Sequence, residues 1–123
     1  MKITTFDPII ITSRFDHAVS VFEDLGFEKT HAPVTETTTQ DIQSYRMKDE
    51  NGFHVDVAGV ETLEKDREYI RMNVDDFDAA YNILKEHGFK NKNGDDTLET
   101  NHAKEATMVS PSGFTIALVQ HIK

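Results

Sequence analysis

The chain has no cysteine and no tryptophan, and only three prolines and six glycines among its 123 residues. Without cysteine there is no disulfide framework, no thiolate zinc site and no cysteine nucleophile. Basic residues are scarce as well, 13 Lys plus Arg against 22 Asp plus Glu, for a formal net charge of -9. That deficit excludes the basic footprint with which proteins grip nucleic acid or an anionic membrane surface. No apolar run approaches the roughly 20 residues of a membrane span. The start, Met1-Lys2-Ile3-Thr4-Thr5-Phe6-Asp7, lacks the apolar core of a signal peptide. A cytoplasmic protein with no nucleic-acid and no membrane partner is expected. A chain of this length buries roughly two-thirds of its unfolded surface, which suffices for one ordinary domain over residues 1–123.

What the sequence does contain is a repeated design. From Ser13 to Gly26, Phe15, Ala18, Val19, Phe22 and Leu25 recur at the spacing of an amphipathic helix. Ser13 with Asp16 approximates a capping box, and Gly26 suits the left-handed residue that closes a helix. From Asp75 to Gly88 the pattern returns, with Asp75 or Asp76 as cap, Phe77, Ala80, Tyr81 and Leu84 on one face, and Gly88 at the stop. Phe15, Asp16, Ala18, Gly26 and Phe27 match Phe77, Asp78, Ala80, Gly88 and Phe89 at one separation. Met47, Gly52, Phe53, Val55 and Val57 match Met108, Gly113, Phe114, Ile116 and Leu118 at a separation one residue shorter. The chain therefore reads as two copies of one unit, module one over about 1–60 and module two over about 67–123.

Each copy reads as strand, helix and three strands. Pro8 to Thr12 and Tyr69 to Val74 are the opening strands, Phe27 to His31 and Phe89 to Lys92 the short ones after the helices. Ile42 to Met47 and Lys104 to Val109 follow, and turns at Asp49-Glu50-Asn51-Gly52 and Ser110-Pro111-Ser112-Gly113 lead into Phe53 to Val57 and Phe114 to Val119. The polar tracts Val34 to Gln40 and Asn91 to Asn101 are expected to be loops, and the charged, helix-tolerant Glu61 to Asp66 the hinge. Met47, Met108, Phe53 and Phe114 are expected in the core.

A doubled βαβββ unit with Asn-Gly-Phe and Ser-Gly-Phe before its final strands resembles the vicinal oxygen chelate superfamily of glyoxalases, extradiol dioxygenases and bleomycin or fosfomycin resistance proteins. The particular carriers are Val74-Asp75-Asp76-Phe77-Asp78-Ala79-Ala80 ahead of Gly88-Phe89, and Ser110-Pro111-Ser112-Gly113-Phe114. The resemblance implies an α+β fold in which two tandem modules form a curved mixed sheet of half-barrels, with helices outside and a ligand cavity within. It also implies a homodimer, the commonest symmetric assembly in any case.

Strand phase selects the cavity residues. Ile70, Met72 and Val74 alternate with Tyr69, Arg71 and Asn73; Val55 and Val57 alternate with His54 and Asp56. Thr115, Ala117 and Val119 share one face of the last strand, and Asp7, Ile9 and Ile11 one face of the first. The candidate ligand-binding set is Asp7, His54, Asp56, Tyr69, Arg71, Asn73, Thr115 and Ala117. Arg71 needs an acid, solvent or an anionic ligand, because an unpaired buried guanidinium is costly. It reads either as one half of an internal salt bridge to Asp7 or Asp56, or as a carboxylate or phosphonate clamp.

Metal-dependent members of the superfamily place one ligand on each of four strands, and the matching positions here are Asp7, Asp56, Tyr69 and Ala117. Alanine has no donor, and a neutral tyrosine binds divalent ions poorly without strong companions. Asp7, His54 and Asp56 are the residues from which a nonstandard site would be built; otherwise His54 is a hydrogen-bonded histidine in a polar cavity. There is no phosphate loop, no Gly-x-Gly-x-x-Gly and no Gly-x-Ser-x-Gly, and Ser110 and Ser112 read as turn residues rather than triad members. The reading favours a binding protein of the bleomycin-resistance type, without cofactor or metal, that takes a small anionic or aromatic compound. The alternative is a glyoxalase-like lyase or dioxygenase using a divalent metal and a nonstandard ligand set.

Overall fold

The structure is a computed structural model that describes residues 1–31, 34–36, 41–100 and 102–122. Its architecture is α+β. The elements are β1 (Ile3–Thr12), α1 (Phe15–Asp24), β2 (Glu28–His31), β3 (Val34–Glu36), β4 (Asp41–Lys48) and β5 (His54–Gly59), followed by β6 (Arg67–Val74), α2 (Phe77–Glu86), β7 (Lys90–Asn91), β8 (Leu98–Glu99), β9 (Ala103–Val109) and β10 (Thr115–His121). Two compact units result, Asp7–Glu68 and Met1–Phe6 with Tyr69–Lys123. The opening residues join the second unit, where Asp75 N donates to Lys2 O at 3.1 Å and Lys2 N donates to Asp75 Oδ1 at 2.6 Å.

In the first unit the strands run β2-β4-β5-β1, with β3 also on β4. The pairing is mixed: β1 and β5 are parallel, with Ile9 opposite Asp56, and β4 and β5 antiparallel, with Arg46 opposite Asp56. Burial follows the pleat. Met47, Val55 and Val57 pack beneath Val19 of α1, with Ile10, Phe15, Ala18, Phe22, Phe27 and Tyr45 around them. The residues that alternate with them along each strand therefore stand on the opposite sheet face.

The second unit repeats this plan. Its strands run β6-β10-β9-β7, with β8 also on β9; β6 and β10 are parallel, β9 and β10 antiparallel. Met72, Val74, Ala106, Met108, Ile116 and Leu118 make the core with Phe77 and Ala80 of α2. Gly26 and Gly88 close the two helices at φ of 103° and 87°, as their spacing predicts, because this left-handed backbone disfavours any side chain.

The turns before the last strands match as well. Asp49 Oδ1 accepts from Asn51 N at 3.0 Å and Phe53 N at 2.8 Å, while Ser110 Oγ accepts from Gly113 N and Phe114 N, both at 3.0 Å. Side-chain oxygens thus fold both turns, and Ser110 is occupied as a turn residue.

The two helix starts differ. Asp76 caps α2, its Oδ1 accepting from Ala79 N at 3.1 Å, and Gln120 Oε1 accepts from Phe77 N at 2.7 Å. Ser13 does not cap α1: the N-cap position is Arg14, with no side-chain cap bond, and Thr12 Oγ1 accepts from Arg14 N at 3.0 Å instead. The place of Gln120 is taken by Gly59, which has no side chain to accept from the start of α1, and an added Cβ there would lie 3.0 Å from Phe15 Cβ.

Other expectations are corrected at the edges. β1 begins at Ile3 rather than Pro8, and the two polar tracts contain the short strands β3 and β8, each paired outside the main strand order. Residues 37–40 of the first tract lie outside the described residues. Glu61 to Asp66, expected as the hinge, forms turns and bends. Phe53 and Phe114 are not core; they are 68% and 52% exposed, because each follows a turn glycine and precedes the first paired residue of its strand. Met47 and Met108 are fully buried, as expected. Among the described residues no helix is long and apolar enough to cross a membrane.

Candidate functional site

Each unit carries a polar sheet face on the side away from its helix. In the second unit this face holds Tyr69, Arg71 and Asn73 of β6, which alternate with the core residues Ile70, Met72 and Val74. Ala117 stands directly beside Arg71, and Thr107 beside Ala117; Val119 stands beside Asn73, and Glu105 beside Val119. Tyr69 and Arg71 are half-buried, and Thr115 is buried at the start of β10. Strand pairing thus brings Tyr69, Arg71, Asn73, Thr115 and Ala117 onto one surface, as the alternation predicts. Asn73 is only 5% exposed, and its Oδ1 accepts no hydrogen bond from the described residues. A buried acceptor left in that condition costs about 1–3 kcal/mol, which a donor brought by a ligand would return.

In the first unit the polar face holds Asp7 and Ile9 of β1, His54 and Asp56 of β5, and Ser44, Arg46 and Lys48 of β4. Asp7 and Asp56 are buried, whereas His54 is exposed at the strand end, opposite Lys48. The residue that sequence reasoning missed is Arg46. It is the cross-strand partner of Asp56, and its Nε lies 3.5 Å from Asp56 Oδ1. The signal was present: the tight turn at Asp49 to Phe53 sets the β4–β5 register, and counting outward from it pairs Arg46 with Asp56.

The donor set does not fit the metal that the resemblance implies. Of the four matching positions, Ala117 offers a methyl group, and Asp56 faces the guanidinium of Arg46. Among the described residues no three His, Asp or Glu side chains gather closely enough to hold a metal ion. A hollow of about 640 Å³ in the first unit lies elsewhere, at the start of α1, bordered by Arg14, Asp16, His17, Gln43 and Glu61.

The fold has clear counterparts. Methylmalonyl-CoA epimerase from Mycobacterium tuberculosis superposes with a TM-score of 0.71 over 98% of this chain and 90% of its own, at 16% identity. A glyoxalase/bleomycin resistance protein/dioxygenase superfamily member from Vibrio splendidus gives 0.66 over 98% of this chain and 100% of its own, at 17% identity. Streptomyces coelicolor methylmalonyl-CoA epimerase, solved in complex with 2-nitronate-propionyl-CoA, gives 0.68 over 99% and 100%, at 14% identity. No protein-family model matches the chain, and no curated protein sequence matches it. The chain has the vicinal oxygen chelate fold; at these identities the likeness speaks for the fold alone.

Proposed function

We propose that this protein binds a small organic anion, or an aromatic compound bearing one, on its polar sheet faces without the help of a metal. The observation that carries the reading is the Arg71–Ala117 row of the second unit. A guanidinium and the unsatisfied amide of Asn73 share one surface, and the matching position for a metal-ligating carboxylate is a methyl group. Guanidinium suits carboxylate and phosphonate geometry, Asn73 Oδ1 would accept from a donor group elsewhere on the ligand, and Tyr69 offers a ring face. Thr115 supplies a hydroxyl at the edge of the same surface. In the first unit Asp7, His54 and Asp56 are the polar groups of that unit's own sheet face. We also propose that the protein is a homodimer, which sedimentation at micromolar concentration tests; a monomer's mass would reject it.

Thermal unfolding of the purified protein with benzoate, malonate and phosphonoacetate tests the binding reading. A probe at a hundredfold excess over its Kd raises stability by about 2.7 kcal/mol, and Arg71→Met should abolish the rise. No rise with any of the three probes would sink the proposal.

A second reading follows from the epimerases among the fold's counterparts. It is a glyoxalase-like enzyme, such as a lyase or dioxygenase, with a nonstandard metal ligand set that includes Asp56. Metal analysis of protein purified without chelator separates the two: stoichiometric nickel, zinc, iron or manganese, lost in Asp56→Asn, would favour the enzyme.

A further inference from the structure

Two acceptors on the polar face of the second unit have no donor to meet them. Asn73 of β6 and Glu105 of β9 stand on either side of Val119 of β10, so the three residues make one row across the strands. Asn73 is 5% exposed, and its Oδ1 has no hydrogen-bond partner among the described residues. Glu105 is half-buried, and among the described residues its carboxylate makes no hydrogen bond and no ion pair. Its sequence neighbour Lys104 belongs to the helix side, with Nζ 3.6 Å from Asp78 Oδ1. The next row of the polar face holds Arg71 and, past Thr107, the exposed Lys92. The face is therefore divided, with cations on the Arg71 row and an anion on the Glu105 row.

The first unit serves as an internal control. Its corresponding row is Ile11–Ala58–Ser44. The ladders thus form without an amide or a carboxylate at these places, and neither Asn73 nor Glu105 is a requirement of the fold. Neighbouring strands lie about 4.8 Å apart, which sets the Asn73 and Glu105 backbones roughly 10 Å from each other. Side chains leaning inward by about 2 Å each bring the two oxygens to about 5.6 Å, the span that one ammonium nitrogen bridges with two hydrogen bonds of about 2.8 Å. Burial is graded along the row: Asn73 and Val119 are buried, Glu105 is half-buried, and Leu98, its partner on β8, is 57% exposed. Approach is from the β8 side. A carboxylate selects a cation over a neutral donor, and the chain's net charge of -9 draws cations toward it.

We infer that the Asn73–Val119–Glu105 row binds an ammonium group of the ligand, whose N–H donors are shared between the Asn73 amide oxygen and the Glu105 carboxylate. Resting on the reading of the Arg71 row as an anion site, this narrows the ligand class from organic anions to amino carboxylates. The two rows are two residues apart along each strand, so the ligand's charges are separated by roughly 7 Å.

Calorimetric titration of the full chain with 4-(aminomethyl)benzoate, 4-methylbenzoate and benzylamine tests this. The first two share the carboxylate and the ring, and only the first carries an ammonium. The wild type should prefer 4-(aminomethyl)benzoate roughly tenfold or more, the effect of one charge-assisted hydrogen bond. Glu105→Gln should bring the ratio of the two affinities close to one. Asn73→Ile, which installs the residue of the first unit, should lower the ratio as well, with an amide NMR spectrum reporting the fold of each variant. If 4-methylbenzoate binds and the wild type shows no preference, or the preference survives Glu105→Gln, this assignment fails and the anion reading stands. If neither carboxylate binds while benzylamine binds and is lost in Glu105→Gln, the ammonium site stands and the anion reading fails. If none of the three binds, both fall.

Discussion

Met47, Val55 and Val57 beneath α1 have their counterparts in Met108, Ile116 and Leu118 beneath α2, and in both units these residues are buried. On the opposite faces the agreement ends. The row Ile9–Asp56–Arg46 of the first unit is matched by Arg71–Ala117–Thr107 in the second. Core positions must fill one shape with apolar volume, which holds a repeat close to its pattern. Polar-face positions answer to a charge or a ligand, and there the copies are free to part. The difference points to the polar faces as the place where this chain became particular.

The largest expected effect is in the shared part. Met47→Ala and Met108→Ala should each cost about 2–5 kcal/mol, because each empties a fully buried site. Urea denaturation should show similar losses, and a marked gap between them would break the equivalence of the two cores. A middle effect separates the helix stops. Gly26→Ala and Gly88→Ala both force a side chain into the left-handed region at about 1–2 kcal/mol. Only at Gly88 would the new Cβ also lie 2.9 Å from Pro111 Cγ, so Gly88→Ala should lower the melting temperature further. Equal losses would mean that Pro111 moves aside freely. The smallest effect concerns the helix starts. Asp76→Ala should cost about 1 kcal/mol through the lost cap, whereas Ser13→Ala should fall within about 0.5 kcal/mol of the wild type. A loss at Ser13 as large as that at Asp76 would contradict the uncapped start of α1.

Much of the fold was legible in the residues. Apolar spacing placed both helices, alternation placed the faces of β5, β6 and β10, and glycine placed both helix ends. These are properties of short stretches of chain, where period and backbone freedom act directly. The capping error at Ser13 had a different origin, since the helix start is shifted to Arg14, whose N–H donates to Thr12 Oγ1, and the Ser-x-x-Asp spacing does not report that shift. Phe53 and Phe114 were misjudged because hydrophobicity does not report whether a residue beside a turn has a neighbour to cover it.

The candidate site divides in the same way. That Tyr69, Arg71 and Asn73 share a face followed from the two-residue period of a strand, and so did His54 with Asp56. The setting of Asp56 opposite Arg46, and of Arg71 beside Ala117, belongs to strand pairing. By itself the sequence determined the repeat, the helices, the strand faces and the apolar cores, because each rests on periodicity within a few residues. Only the tertiary structure decided which charge meets which, because a salt bridge depends on the register of strands brought together from separate parts of the chain.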